Sequence, residues 1–158
     1  MFNKILVPID GSKHAHRALK TALELAKIHK SELEILHVTS FSEEIMPTKS
    51  ESDVGPMQEE SLSPPEWINE YMAKVRENDE KMLSQALKNA ETMYPKLKIT
   101  TKLLLGRPGK SIVSEAEEGK YDLVVIGSRG LGGLAELVLG SVSHQVVNES
   151  KIPVLVVK

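Results

Sequence analysis

The stretch "YDLVVIGSRGLGGLAELVLGS", residues 121–141, decides how the chain folds. Its "LVVI" core is continuously apolar, as in a strand covered on both faces rather than one with a wet side. The run passes straight into a cluster that holds five of the chain's ten glycines. Glycines at the carboxyl end of a strand let the backbone turn sharply and approach a ligand closely. The cluster is therefore either a loose turn or a cradle, and its surroundings decide between the two.

Working outward, four more β-type runs appear: "KILVPI" at 4–9, "ELEILHV" at 32–38, "KITTKLLL" at 98–105 and "IPVLVV" at 152–157. Helical patterns separate them. Residues 12–30 place Ala15, Ala18, Leu19, Ala22, Leu23 and Ala26 on one face, at spacings of three and four. Residues 66–93 do the same with Ile68, Met72, Val75, Met82, Leu83, Leu87 and Ala90, and Asn78 and Asp79 interrupt that stripe, which predicts a water-facing stretch. Shorter helices are expected over 109–118 and 141–149. Strands alternating with helices imply a doubly wound, five-stranded parallel sheet in one α/β domain over 1–158, with right-handed crossovers and helices on both faces. Pro8 and Pro153 cannot donate to a ladder and belong at strand ends, bulges or an edge. Residues 40–65, rich in Ser, Glu and Pro and without periodicity, are expected to form a flexible surface insert.

Composition narrows the function classes. The net charge of −2 supplies no positive field for nucleic acid or a membrane surface, and 4% aromatic residues make a base-stacking platform unexpected. The absence of cysteine removes disulfides, thiol catalysis and cysteine-bound zinc. No apolar run approaches the ~18 residues of a membrane span, and "MFNKILVPID" does not read as a signal peptide, so a cytoplasmic location is expected.

Three phosphate-site templates can be tested on the glycines. "GRPGKS" ends like a P-loop at Gly109, Lys110 and Ser111, but the required first glycine falls on Leu104, and Pro108 removes a backbone donor. Gly130, Gly132 and Ala135 formally match the dinucleotide fingerprint, but they do not lie in the first βα turn, and Glu149 sits at a helix end. The third reading rests on spacing. Gly127 and Gly130 frame a tight turn, and nine residues later Gly140 and Ser141 open a helix whose free N–H groups attract anions. Ser141 can cap that helix or bond a phosphate oxygen, and Ser143 can add a hydroxyl.

The pattern G-x2-G-x9-G-[ST], met at Gly127, Gly130, Gly140 and Ser141, resembles the nucleotide-binding signature of universal stress proteins. "KILVPIDGS", "ELEILHV", "GRPGKSIVSEA", "YDLVVIGSRG" and "LGSVSHQVVNESKIPVLVV" resemble that family in register over nearly the whole chain. The resemblance implies strand order 3-2-1-4-5, with Asp10 brought beside Gly127 at the switch point.

It also implies roles. Asp10 faces the sugar and base side of a nucleotide, and a helix-entry acid is a compatible second role; Pro8 and Ile9 line an adenine slot. The backbone of Val38 reads the adenine edge, while its side chain alone reads as core; His37 reads as a packed histidine. Gly127, Gly130, Gly140, Ser141, Val142 and Ser143 form the phosphate and ribose cradle. Arg129 is a candidate phosphate partner or an exposed loop arginine, and Gly132, Gly133 and Leu134 supply flexibility. Gly106 and Pro108 form a wall near the base, with Lys110 in solvent. The implied ligand is ATP or AMP, with Mg²⁺ held mainly through the phosphates and no protein metal ligands. No P-loop lysine and no clear base accompany the cluster, so no catalytic residue is assigned and the expectation is binding with at most slow turnover. The alternative is a slow ATPase or nucleotide-processing enzyme in the same pocket. The resemblance further implies a homodimer through the last strand, 152–157, with no nucleic acid or membrane partner.

Overall fold

The structure, a computed structural model, describes residues 2–40, 66–131 and 139–158. Strands and helices alternate along the chain: β1 (Lys4–Pro8), α1 (Lys13–His29), β2 (Glu32–Thr39), α2 (Glu66–Met93), β3 (Ile99–Leu105), α3 (Pro108–Glu118), β4 (Leu123–Gly127), α4 (Ser141–Glu149) and β5 (Val154–Val157). The five strands form one parallel sheet in the order β3-β2-β1-β4-β5. This is the α/β architecture and strand order expected above. Apart from Ser40, the 40–65 segment lies outside the described residues, as do Gly132, Gly133 and Leu134.

Strand parity divides the core. Ile5, Val7, Leu33, Ile35, Leu123 and Val125 point to the face covered by α1 and α2. Leu6, Leu36, Val38, Val124 and Ile126 point to the face covered by α3 and α4, where they meet Ile112, Ala116 and Val146. Every residue of β4 is buried, the physical reason its sequence is apolar without alternation.

Local signals set the boundaries. Ser12 caps α1 by accepting the Ala15 N–H (3.1 Å), and α1 ends at Lys30, whose left-handed backbone (φ 58°) returns its N–H to Ala26. Lys27 and His29 lie in the last turn, where positive charge suits the helix dipole. Pro108 opens α3 at a position where no N–H is required. The fourth strand starts two residues later than its sequence pattern suggests, because Tyr121 N–H closes α3 onto Ala116. Next to it, the Asp122 carboxylate accepts the N–H groups of Asn3 (2.7 Å) and Lys4 (3.0 Å), pinning the start of β1 beside β4. The Asn3 bond, then the Lys4 bond, holds this carboxyl below the ordinary carboxylate range.

Candidate functional site

β1 sits between β2 and β4, so the chain leaves β1 toward one face of the sheet and leaves β4 toward the other. The carboxyl ends separate there, and a cleft of about 800 Å³ opens. Pro8, Ile9 and Asp10 line it from the end of β1, and Val38 from β2. Gly127, Arg129 and Gly130 line it from the end of β4, and Gly140, Ser141, Val142 and Ser143 from the start of α4. These eleven residues, read from the sequence as nucleotide-binding, are thus brought to one cleft. Pro108 lines it as well; Gly106 is not among the lining residues, and Lys110 is exposed.

The spacing of the glycines has a structural cause. The Ser128 N–H bonds Val157 O (2.7 Å), and the Gly140 N–H returns to Ser128 O (2.7 Å). That return clasps the two ends of the glycine-rich stretch and sets Gly140 beside Gly130 despite nine intervening residues. Ser143, buried, shares its hydroxyl proton between Ser128 O (2.8 Å) and Gly140 O (3.0 Å), which locks the clasp to α4. Two expectations change accordingly. Gly140, not Ser141, is the N-cap of α4, and no side chain caps that end. The Ser143 hydroxyl is committed as a donor to carbonyls of the protein, so what it keeps for a ligand is acceptor capacity.

The glycines differ in what demands them. A Cβ on Gly127 would lie 2.7–2.9 Å from backbone atoms of His14 and Ala15, so Gly127 exists to let β4 approach α1. A Cβ on Gly130 would lie 2.5 Å from Asp10 Oδ2. A Cβ on Gly140 would meet nothing among the described residues closer than 3.4 Å, in an extended backbone (φ −73°, ψ 165°) open to any residue. Nothing among the described residues requires a glycine there.

Electrostatics polarise this end of the cleft. The first N–H groups of α4 have no intrahelical acceptor and carry the positive end of the helix dipole. The Arg129 Nε is buried and has no hydrogen-bond partner among the described residues. An unpaired guanidinium N–H in a cleft is costly until an acceptor reaches it. Asp10 bridges two loops: Oδ1 accepts Ser12 N–H (2.9 Å) and Oδ2 accepts Leu131 N–H (3.1 Å). The turn role and the juxtaposition with the β4 loop are both present, and spare lone pairs on the carboxylate still face the cleft.

The other end is apolar, walled by Pro8, Ile9, Ile112 and Ile126. The direction of the Val38 backbone follows from the alternation along β2. Even-numbered residues of β2 address β1, as Glu32 N–H bonds Asn3 O and Leu36 O accepts Ile9 N–H (both 2.8 Å). Odd-numbered ones address β3, as Leu33 N–H bonds Lys98 O and Thr39 O accepts Gly106 N–H. The N–H and C=O of Val38 therefore point to the side where β1 has just ended.

The α2 wall is the part that sequence reasoning misplaced. Val75, Asn78, Asp79 and Met82 all line the cleft. Asn78 is exposed as expected, but Asp79 is half-buried and bonded to β2 instead of facing water. The break in the apolar stripe was the available signal: a carboxylate there needs a polar partner, and β2 ends in Thr39. His37 is packed, as expected, with its ring on the Ile9 carbonyl (2.7 Å). Among the described residues no group of three or more His, Asp or Glu side chains is arranged to hold a metal ion, and no helix is long and apolar enough to cross a membrane.

Comparison with known proteins agrees with this architecture. The model of the universal stress protein family matches residues 1–158. Universal stress protein YxiE of Bacillus subtilis (strain 168) is 38% identical over 165 aligned positions, covering 100% of both chains. The solved structure of protein MJ0577 superposes with a TM-score of 0.74 at 28% identity, covering 100% of this chain and 96% of that one. A universal stress protein from Archaeoglobus fulgidus, solved in complex with dAMP, superposes with a TM-score of 0.65 at 19% identity, covering 99% of this chain and 98% of that one. With a family match that runs from the first residue to the last, on this sheet order, the chain belongs to the universal stress protein family.

Proposed function

We propose that the cleft binds an adenine nucleotide, ATP or AMP, and that the protein acts as a stress-response sensor whose nucleotide-bound shape is read by a partner. The observation that carries this reading is the cleft lining, where Arg129, whose buried Nε has no hydrogen-bond partner among the described residues, and the free N–H groups of α4 face one space beside a glycine whose missing Cβ leaves room. The apolar slot opposite, with the Val38 backbone edge beside it, suits a flat heteroaromatic base. The dAMP bound by the Archaeoglobus fulgidus neighbour adds support for the ligand class.

In this reading Gly127, Gly130, Gly140, Ser141, Val142 and Ser143 surround the phosphates and ribose, Arg129 pairs with a phosphate, and Asp10 accepts ribose hydroxyls. Mg²⁺ rides mainly on the phosphates, since magnesium keeps most of its water and takes few protein ligands. The described cleft lining contains no lysine and a single arginine, Arg129, so the reading is of binding with at most slow turnover. We also assign a cytoplasmic location and a homodimer through β5, an edge strand on which Leu155 is exposed.

The test is to denature the purified protein and identify any small molecule released, then to titrate the emptied protein with ATP and Mg²⁺ by calorimetry. Recovered ATP or AMP, with binding abolished by a Gly130→Val, Gly140→Val double change, supports the reading. No released nucleotide and no heat of binding would refute it. Phosphate release over hours, compared with the double variant, separates a binder from an enzyme.

A further inference from the structure

The end of β1 carries an irregularity that the family signature does not mention. The β1–β2 ladder runs regularly from Lys4↔Glu32 to Pro8↔Leu36, and its last bond is Ile9 N–H to Leu36 O. The next rung in that register is Val38 N–H to Ile9 O. Among the described residues this rung is not made. The Ile9 carbonyl is engaged by the His37 ring, whose Nδ1 lies 2.7 Å away. A carbonyl can only accept, so Nδ1 carries the proton.

The ring is held from its other side. Asp79 Oδ1 on α2 lies 3.3 Å from His37 Nε2, and Asp79 Oδ2 accepts the Thr39 hydroxyl. The side chains of His37 and Asp79 are only 13% and 19% exposed, so water competes little for these bonds. Thr39, Asp79 and His37 thus form a chain that ends on the one carbonyl able to satisfy the Val38 N–H.

We propose that Asp79 is a positioning residue for the cleft: through His37 it keeps the Ile9 carbonyl away from Val38 and so holds the Val38 backbone edge open for the ligand. The inference rests on the nucleotide reading for what enters, but the open rung is a property of the protein without ligand. The Val38 side chain is apolar and makes no hydrogen bond, so only its backbone can pair with the polar edge of a base, and a closed rung would remove that pairing. Thr39 orients Asp79, and Asp79 orients His37, because an unsupported imidazole beside a strand end has several rotamers to occupy.

The experiment uses nucleotide-free full-length protein with Asp79→Ala, His37→Leu and Asp79→Asn changes. Amide hydrogen exchange at Val38 is measured by NMR, and ATP affinity by calorimetry. Asp79→Ala and His37→Leu should slow exchange at Val38, as its N–H acquires the Ile9 carbonyl, and weaken ATP binding about tenfold, the worth of one ligand hydrogen bond. Asp79→Asn should leave both near wild type, because its amide still offers His37 Nε2 a hydrogen-bonding group while its oxygen accepts from Thr39. A purely structural role for Asp79 would lower the melting temperature without slowing exchange at Val38. Unchanged Val38 exchange in both disruptive variants overturns the proposal. Slowed exchange in a protein whose wild type binds no nucleotide would support the held-open rung and refute the nucleotide reading.

Discussion

Gly127 and Gly140 belong to one spacing pattern, yet the structure makes them answer to different demands, and paired alanine changes separate these. In Gly127→Ala the new Cβ would lie 2.7 Å from His14 C, 2.8 Å from Ala15 N and 2.9 Å from His14 O. These are backbone atoms, so no rotamer relieves the clash and β4 must move away from α1. Overpacking of this kind costs roughly 1–3 kcal/mol. At this chain length each kcal/mol lowers the melting temperature by about 2–4 °C, so a fall of about 4–8 °C is expected for a mid-range cost. In Gly140→Ala the Cβ sits 3.4 Å from Arg129 Cα, 3.6 Å from Ser128 O and 3.7 Å from Gly130 N, all ordinary contacts. The backbone there suits alanine, and the reduced entropy of the unfolded chain offsets minor crowding, so stability should change by no more than about 0.5 kcal/mol. The methyl does stand between the N-terminus of α4 and Gly130, where the phosphates are proposed to lie. Losing one charge-assisted bond to a phosphate oxygen, about 1.5–3 kcal/mol, weakens binding roughly 10- to 100-fold. Scanning calorimetry and ATP titration of both variants make the test. The reasoning is refuted if Gly140→Ala binds ATP as tightly as wild type, or if it melts as early as Gly127→Ala.

Other perturbations bear on separate parts of the molecule. Arg129→Gln should weaken ATP about tenfold and leave adenosine unchanged, since only the phosphates meet the unpaired Nε; equal losses for both ligands would place Arg129 elsewhere. Asp122→Asn should destabilise the protein at neutral pH by about 1 kcal/mol, because Oδ2 accepts both backbone N–H groups as a charged acceptor and a neutral amide oxygen in its place gives up that charge assistance. The folded-state pKa of Asp122 is depressed, so its contribution is present above the ordinary carboxylate range and disappears as the pH falls through the folded value. Urea melts of wild type and variant should therefore converge in acid, and a gap that widens in acid would contradict the assignment. Leu155→Glu on the exposed edge of β5 should shift the protein toward monomer in sedimentation velocity without altering the circular dichroism spectrum; an unchanged dimer would move the interface away from this strand.

Much of the fold was legible because burial on two faces leaves a continuous apolar run, as in β4, and burial on one face leaves spacings of three and four, as in α1. Boundaries were less legible where a residue's hydrogen bonds serve something other than a ladder. Tyr121 and Asp122 look like the start of β4, but they close α3 and anchor β1. At the site, glycine spacing located the clasp but not the surroundings of each glycine, since crowding by α1 at Gly127 and open space at Gly140 go with the same letter. Asp79 was hardest to read. A carboxylate that interrupts an amphipathic stripe ordinarily faces solvent, and its partners His37 and Thr39 lie 42 and 40 positions earlier on β2. Only the sheet's geometry shows that the helix crosses just there.

The clasp between Ser128 and Gly140 has a consequence for how this chain tolerates change. With Gly140 N–H tied to Ser128 O at 2.7 Å, the frame on either side is held by that bond itself, whatever number of residues joins the two points. Doubling the number of residues that join two fixed points costs only about 0.6 kcal/mol of closure entropy. Insertions or deletions of a few residues between them should therefore leave the sheet and α4 in place, whereas lengthening the chain between Gly127 and Gly130 would break the register directly. A graft or an evolutionary excursion aimed at new ligand chemistry has its natural point of entry there, within the arc and not at its hinges.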